Sequence, residues 1–273
     1  MSRVVRAATA DDMPAVRRVA RRFGLLDGWP GTPDFLDAER AFGRLLFAPD
    51  DAGGALGFGG TLRRGVLTHL GDLFVLPERQ SSGLGRTLLT GLLREPGPKV
   101  TFASSDPRAI ALYVRHGLRP LTPLLYLTGP ATGLPAPTAR RTRPEDVAPL
   151  DATSSGGDRG ATLAWYAGVP GVTMYATGRG YAAAREMDDQ VLIGPAGGAT
   201  AHDCADAVLG ALAAARAGSA RIAVPGTHPL VPVLLGVGWR IADMDTFMDT
   251  FMADEKGSAL IRPDRYIPHP DLG

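Results

Sequence analysis

The 273-residue chain has a single cysteine, Cys204, so no intrachain disulfide can form and a cytoplasmic setting is expected. No stretch approaches the ~18 uninterrupted apolar residues that a membrane span needs. The opening residues, Met1 to Asp12, lack the apolar centre of a signal peptide, so no secretory leader and no membrane attachment are expected. Net charge is only +1, too little for a general nucleic-acid binder. A lysine-rich surface is also lacking, which argues against an aminoacyl group delivered on tRNA. The histidines, among them His116, His202, His228 and His269, show no metal-ligand spacing, and no metal is expected. Cys204 sits in an alanine-rich helical pattern and reads as a buried, inert thiol rather than a nucleophile.

What is present is a globular composition, 45% hydrophobic and 21% charged, in a chain long enough for two cores. Charge is unevenly spread. Residues 1–130 carry 17 basic and 12 acidic side chains, and the remainder carries 12 and 16. A basic half suits an anionic ligand and an acidic half a cationic one.

The chain is organised around Leu70 to Leu93. An apolar strand, Leu70 to Leu76, stops at Pro77. A polar turn, Gln80 to Gly85, leads into a helix carrying Leu88, Leu89, Leu92 and Leu93 at helical spacing. A strand, a glycine turn and a helix N-terminus together make an anion cradle, in which free N–H groups and the positive end of the helix dipole converge. Gly83 and Gly85 let the backbone approach a phosphate without a Cβ in the way. A Walker loop is excluded because Arg86-Thr87 follows the glycine in too short a loop. A Rossmann turn is excluded because position 88 is leucine.

The pattern that remains is Gln80-x-x-Gly83-x-Gly85 after a strand with Val75 and Pro77. It resembles the acetyl-CoA loop of the GNAT N-acetyltransferase superfamily. A second segment, Asp106-Pro-Arg-Ala-Ile-Ala-Leu-Tyr-Val-Arg-His-Gly-Leu118, resembles that superfamily's other signature through Ala109, Tyr113 and Gly117. Asp106 replaces the usual asparagine and Leu118 the usual phenylalanine. The resemblance covers residues 3 to 128.

It implies an acetyl-CoA-dependent N-acetyltransferase acting on the amine of a small molecule. The amine attacks the thioester directly in a ternary complex, with no covalent intermediate. Acetyl-CoA as acyl donor would contact Phe74, Val75, Gln80, Ser81, Ser82, Gly83, Leu84, Gly85, Arg86, Thr87, Asp106 and Arg108. Its pantetheine arm would take the place of a strand partner between two splayed parallel strands. Tyr113 is the expected acid for the leaving thiolate, since a phenol near pKa ~10 can serve a thiol near ~8.5. His69, eleven residues before Gln80, is the expected base; water is its competitor. Two-residue alternation would put His69 on one face with Gly71, Leu73 and Val75, and Asp72 on the other. Trp29, and with it Phe23, is expected to line the acceptor side. The alternative from another class is a non-catalytic, CoA-binding regulatory protein, which Asp106 favours.

The expected fold is α/β with a mixed sheet: two GNAT-like domains, each a mostly antiparallel sheet with splayed parallel strands flanked by helices. Residues 1–129 form the acetyl-CoA-binding domain, 130–138 a proline-bearing linker and 139–273 a degenerate second copy. Strand Val4–Ala7, a Thr9/Asp12 capping box and a helix buried through Met13, Val16, Val19 and Ala20 open the chain. A second helix is expected over Asp34 to Phe47. The glycine-rich stretch after Asp50 suggests that the second strand of the family is lost. Arg141 to Leu150 echoes Arg6 to Ala15. Aligning Pro195 on Pro77 puts Ala201 at Gly83 and Asp203 at Gly85, and aligning Gly238 on Gly117 puts Leu234 at Tyr113. The second copy would therefore lack both cradle and acid. Asp243, Asp245, Asp249 and Asp254 read as a solvated acidic face, and Ile261 to Gly273 as a strap across the surface.

Overall fold

The computed structural model describes residues 5–104, 106–134, 136–242 and 249–273. The chain divides into two compact units, Met1–Arg63 with Thr68–Gly97, and Arg64–Leu67 with Pro98–Gly273.

The first unit runs β1 (Arg6–Ala7), α1 (Met13–Arg22), α2 (Phe35–Phe42), β2 (Gly43–Pro49), β3 (Ala55–Arg64), β4 (Leu67–Val75) and α3 (Leu84–Leu92), with the strands side by side in chain order. β2 is antiparallel to β1 and to β3. Met13, Val16, Val19 and Ala20 are the buried face of α1. The Asp12 carboxylate accepts from the Thr9 amide and hydroxyl at 2.8 and 2.7 Å, closing the chain into the first turn. The second helix is shorter than expected. It ends at Phe42, and β2 takes over at Gly43, so the strand thought lost is present. The close pairing of β2 on β3 explains the stop: a Cβ on Gly43 would lie 1.7 Å from the Thr61 carbonyl oxygen. Asp34 starts α2 with a reciprocal cap to Asp37, and Arg17 holds both carboxylates at 2.7 and 2.6 Å.

The glycines of β3 show which face is which. Built Cβ atoms on Gly57 and Gly59 would meet Val75, Leu73 and Leu92 of α3; one on Gly60 would meet the Glu39 carboxylate of α2. Gly71 of β4 also faces Glu39. Gly71 and Leu73 therefore lie on opposite faces. Strict alternation fails between them, and the expected single face for Gly71, Leu73 and Val75 is corrected. Gly71 faces α2; Leu73 and Val75 face α3.

The second unit contains β5 (Lys99–Ala103), α4 (Pro107–Arg115), β6 (Arg119–Pro130), β7 (Arg140–Arg141), α5 (Pro144–Ser155), α6 (Gly160–Ala167), β8 (Val172–Thr177), β9 (Gly180–Met187), β10 (Gln190–Gly198), α7 (Ala201–Ala214), β11 (Ser219–Pro225), α8 (Leu230–Gly236), β12 (Arg240–Ile241), β13 (Asp249–Ala253), α9 (Glu255–Leu260) and β14 (Tyr266–Ile267). Its strands run in the order β5-β13-β6-β11-β10-β9-β8-β7, with β12 on β6 and β14 on β10. β10 and β11 are parallel; the neighbouring pairs are antiparallel. Among the described residues, 131–139 hold neither helix nor strand. The compact units divide elsewhere, between α3 and β5. β6, from the first copy of the repeat, pairs with β11 of the second from Ser219↔Pro130 to Pro225↔Leu124.

Three expectations for this half change. Pro195 lies inside β10, whereas Pro77 follows the end of β4, so the two prolines are not counterparts. The segment 261–273 is no surface strap: Tyr266, Ile267 and His269 are fully buried. Asp254 is an N-cap, accepting from the Gly257 amide at 2.7 Å, rather than part of a solvated face. Asp243 and Asp245 lie outside the described residues.

Candidate active site

The cradle lies wholly in the first unit. β4 ends at Val75, a single 3-10 turn spans Pro77–Arg79, and Gln80 reaches back to donate its Nε2 to the Val75 carbonyl at 3.1 Å. That bond ties the loop to the strand end. Ser82 donates its hydroxyl to the Arg79 carbonyl at 2.5 Å, tightening the bend, and Ser81 takes φ +58°. Gly83 is the N-cap of α3 at φ +84°, a left-handed conformation that strains any residue with a Cβ. No side chain caps α3; its first intrahelical bond runs from the Thr87 amide to the Gly83 carbonyl at 3.1 Å. The N–H groups of Leu84, Gly85 and Arg86 thus have no partner within the helix, which is the arrangement that receives a phosphate. A Cβ on Gly83 meets nothing within 4 Å, and one on Gly85 only Val75 Cγ2 at 3.8 Å, so the loop is open where an anion would sit. These residues fit a pyrophosphate. Arg86 and Thr87 are exposed in the first turn, and Leu84 is buried beneath.

Around the end of β4, the Phe74 ring is 5.1 Å from that of Phe23 and 5.8 Å from that of Phe58. Phe23, half-buried, therefore touches a residue expected to bind the donor. Trp29 is buried, 6.2 Å ring to ring from Phe35, and with Arg21, Leu26, Asp27 and Asp34 lines a pocket of ≈ 410 Å³. His69 is buried. Glu39, also fully buried, was missed in the sequence. Its carboxylate lies over Gly60 and Gly71, the latter two residues from His69. The signal was legible: glycines within two adjacent strands mark a close approach, and here what approaches is a carboxylate.

Asp106, Arg108 and Tyr113 lie in the second unit. Asp106 caps α4, accepting from the Arg108 amide at 2.9 Å and pairing with its guanidinium at 2.7 Å. That pairing holds the Asp106 carboxyl below its usual range. Tyr113 is the buried residue of α4. The turn after it is closed by Gly117 at φ +89°, with the Leu118 amide donating to the Tyr113 carbonyl at 3.2 Å. His116 caps the same turn, its Nδ1 3.0 Å from the Leu112 carbonyl. Cys204 is buried in α7, and burial pushes its thiol well up, away from nucleophilic chemistry. Among the described residues no cluster of His, Cys, Asp or Glu could hold a metal ion, and no helix is long and apolar enough to cross a membrane.

The acetyltransferase (GNAT) family model matches residues 10–118. Those residues belong to the GNAT family. The match spans α1, the cradle and the Tyr113 helix, so acyl transfer is the family chemistry of this half. No curated protein matches the chain in sequence. Solved structures match almost all of it. A protein of Pyrococcus horikoshii classed as an acetyltransferase aligns at TM-score 0.69 and 16% identity, covering 99% of this chain and 95% of that one. A GCN5-related N-acetyltransferase from Kribbella flavida aligns at 0.59 and 18%, covering 93% and 72%. A tandem GNAT protein from the clavulanic acid biosynthesis pathway aligns at 0.56 and 14%, covering 93% and 98%. At these identities the likeness is one of fold, shared with tandem GNAT proteins.

Proposed function

We propose that the chain is a cytoplasmic N-acetyltransferase that uses acetyl-CoA to acetylate the amine of a small molecule, with residues 1–129 as the active copy and 139–273 as the degenerate one. The observation that carries this reading is the uncapped N-terminus of α3 behind a left-handed Gly83, tied to the β4 end by Gln80. A loop so arranged binds the donor's pyrophosphate, and the backbone N–H groups at Phe74 and Val75 polarise the thioester carbonyl. The amine nitrogen attacks that carbon directly. The N–C bond forms and the C–S bond breaks. His69, or a water it holds, takes the proton from nitrogen, and Tyr113 gives one to the leaving thiolate. Phe23 packs against Phe74 at the reacting end.

The test is thiol release from acetyl-CoA against a panel of amines, repeated with longer acyl donors. Release that depends on one class of amine supports the reading. Tight acetyl-CoA binding with no release for any amine would favour the non-catalytic alternative, which has the Asp106–Arg108 pair on its side.

A further inference from the structure

We propose that the opening between β10 and β11 is a binding site for an extended peptide strand, filled by residues 265–268 of the chain itself. The strand takes the place that the donor's pantetheine arm takes in the first copy, and to that extent the inference rests on the function proposed above.

β10 and β11 are paired in parallel from Gln190↔Ser219 to Ile193↔Ile222. Both strands then continue, β10 along β9 to Gly198↔Gly180 and β11 along β6 to Pro225↔Leu124, but their mutual pairing ends. The fork opens at Gly194, φ +134°, and Pro195, where the register of β10 on β9 also shifts. Open strand edges inside a core would leave backbone donors and acceptors unsatisfied. β14 closes this one. Ile267 pairs with Ala196 and Tyr266 with Gly197, antiparallel, and the Gly198 amide donates to the Arg265 carbonyl at 3.1 Å. β14 also packs against β11.

The direction of the segment is informative. It begins beside the N-terminus of α7, where the Arg265 guanidinium donates to the Ala199 carbonyl at 2.6 Å. It ends at the vertex of the fork, where a Cβ on Gly194 would lie 2.7 Å from the Pro268 carbonyl oxygen. A donor held at a helix N-terminus, with its arm between splayed strands, follows the same path from phosphate end to thioester end.

The side chains lock the strand in. Ile267 joins the core around Cys204, Val208 and Val224. The Tyr266 ring has the guanidinium carbons of Arg64 and Arg159 5.4 and 5.3 Å from its centre. Arg159 pairs with Asp151 at 2.8 Å in the interior and also donates to the Gly273 carbonyl. The His269 Nδ1 accepts from the amides of Asp271 and Leu272 at 3.0 and 3.3 Å. The site therefore recognises extended backbone with an aromatic side chain close to two buried cations.

Hydrogen exchange on the full chain, with and without saturating acetyl-CoA, tests the proposal. Amides of 265–267 and 196–198 should exchange about 1,000-fold or more below unstructured rates and should not respond to acetyl-CoA, while residues 80–87 slow on its addition. Free exchange at 265–267, or a response there to acetyl-CoA, overturns the proposal. No response at 80–87 overturns instead the donor reading and the equivalence built on it, and protection at 265–267 still reports whether the fork is filled. In Ile267→Pro, exchange at 196–198 should rise about tenfold or more, with acetyl-CoA binding at 80–87 unchanged. Unchanged exchange at 196–198 in that variant would show that β14 does not cover the β10 edge. Should that variant not fold, the wild-type comparison decides alone.

Discussion

The helix after the central strand begins differently in the two copies. In the first, seven residues lie between Val75 and the N-cap Gly83, and no side chain caps α3. In the second, only Ala199 lies between the end of β10 and the N-cap Thr200. Thr200 accepts from the Asp203 amide at 3.1 Å, its hydroxyl donates to the Asp203 carboxylate at 2.7 Å, and Arg179 pairs with the same carboxylate at 3.3 Å. One N-terminus is left open for an anion; the other has internalised its own. On the proposed function, a cofactor site would be lost by satisfying its unmet groups from within as well as by losing its motif. The loop shrinks, a hydroxyl and a carboxylate cap the helix, and a peptide strand fills the fork.

The sharpest way to break this comparison is Gly83→Asp. It adds a Cβ at φ +84° and a charge to the cradle, and acetyl-CoA binding should fall below detection in calorimetry. In the second copy, Asp203→Gly, which removes the carboxylate held by the Thr200 cap, should leave donor binding untouched. Next is the acid. Tyr113→Phe should cost about 100-fold in turnover with little change in acetyl-CoA affinity, measured where chemistry limits. Its counterpart Leu234 is fully buried at the same place before a left-handed glycine, Gly238 at φ +90°. Leu234→Tyr should add no activity and should cost about 1–3 kcal/mol in denaturant unfolding through overpacking.

A smaller effect separates the copies by pH. Burial, with Arg185 and Arg159 nearby, pulls His269 down to about 3, and burial pulls His228 down to about 4. Both Nδ1 atoms accept backbone N–H groups, which requires neutral rings. The unfolded chain takes up these protons near 6.5. The stability they supply is therefore complete above pH ~6.5 and is lost as pH falls toward 4 and 3, at about 1.4 kcal/mol per pH unit for each ring. The melting temperature should decline below pH 6.5, and His269→Gln should flatten that decline. Smallest is the cap: Thr200→Ala should cost about 0.5–2 kcal/mol and leave turnover unchanged.

The sequence made the first copy's site legible because its constraints are local. Gln80, Gly83 and Gly85 act through one turn, and Tyr113 and Gly117 through one helix end. The same locality made Leu234 and Gly238 readable in the second copy. What escaped depends on distant pairing. β2 was read as helix because its apolar run fits either form, and its contact with Thr61 of β3 decides. The slip in β4 leaves no mark in the order of its residues and shows only in what Gly71 and Leu73 meet. Pro195 looked like Pro77 only until its strand was seen to continue. Ile261 to Gly273 read as a surface strap because proline-rich segments usually are; its burial depends on a fork some seventy residues earlier in the chain.

The central claim is that one copy binds the donor and the other has replaced it. Calorimetric titration of acetyl-CoA into the purified chain tests this most directly. The account predicts a stoichiometry near one, falling to zero in Gly83→Asp and unchanged in Asp203→Gly and Thr200→Ala. A stoichiometry near two, or a site that survives Gly83→Asp, would contradict it.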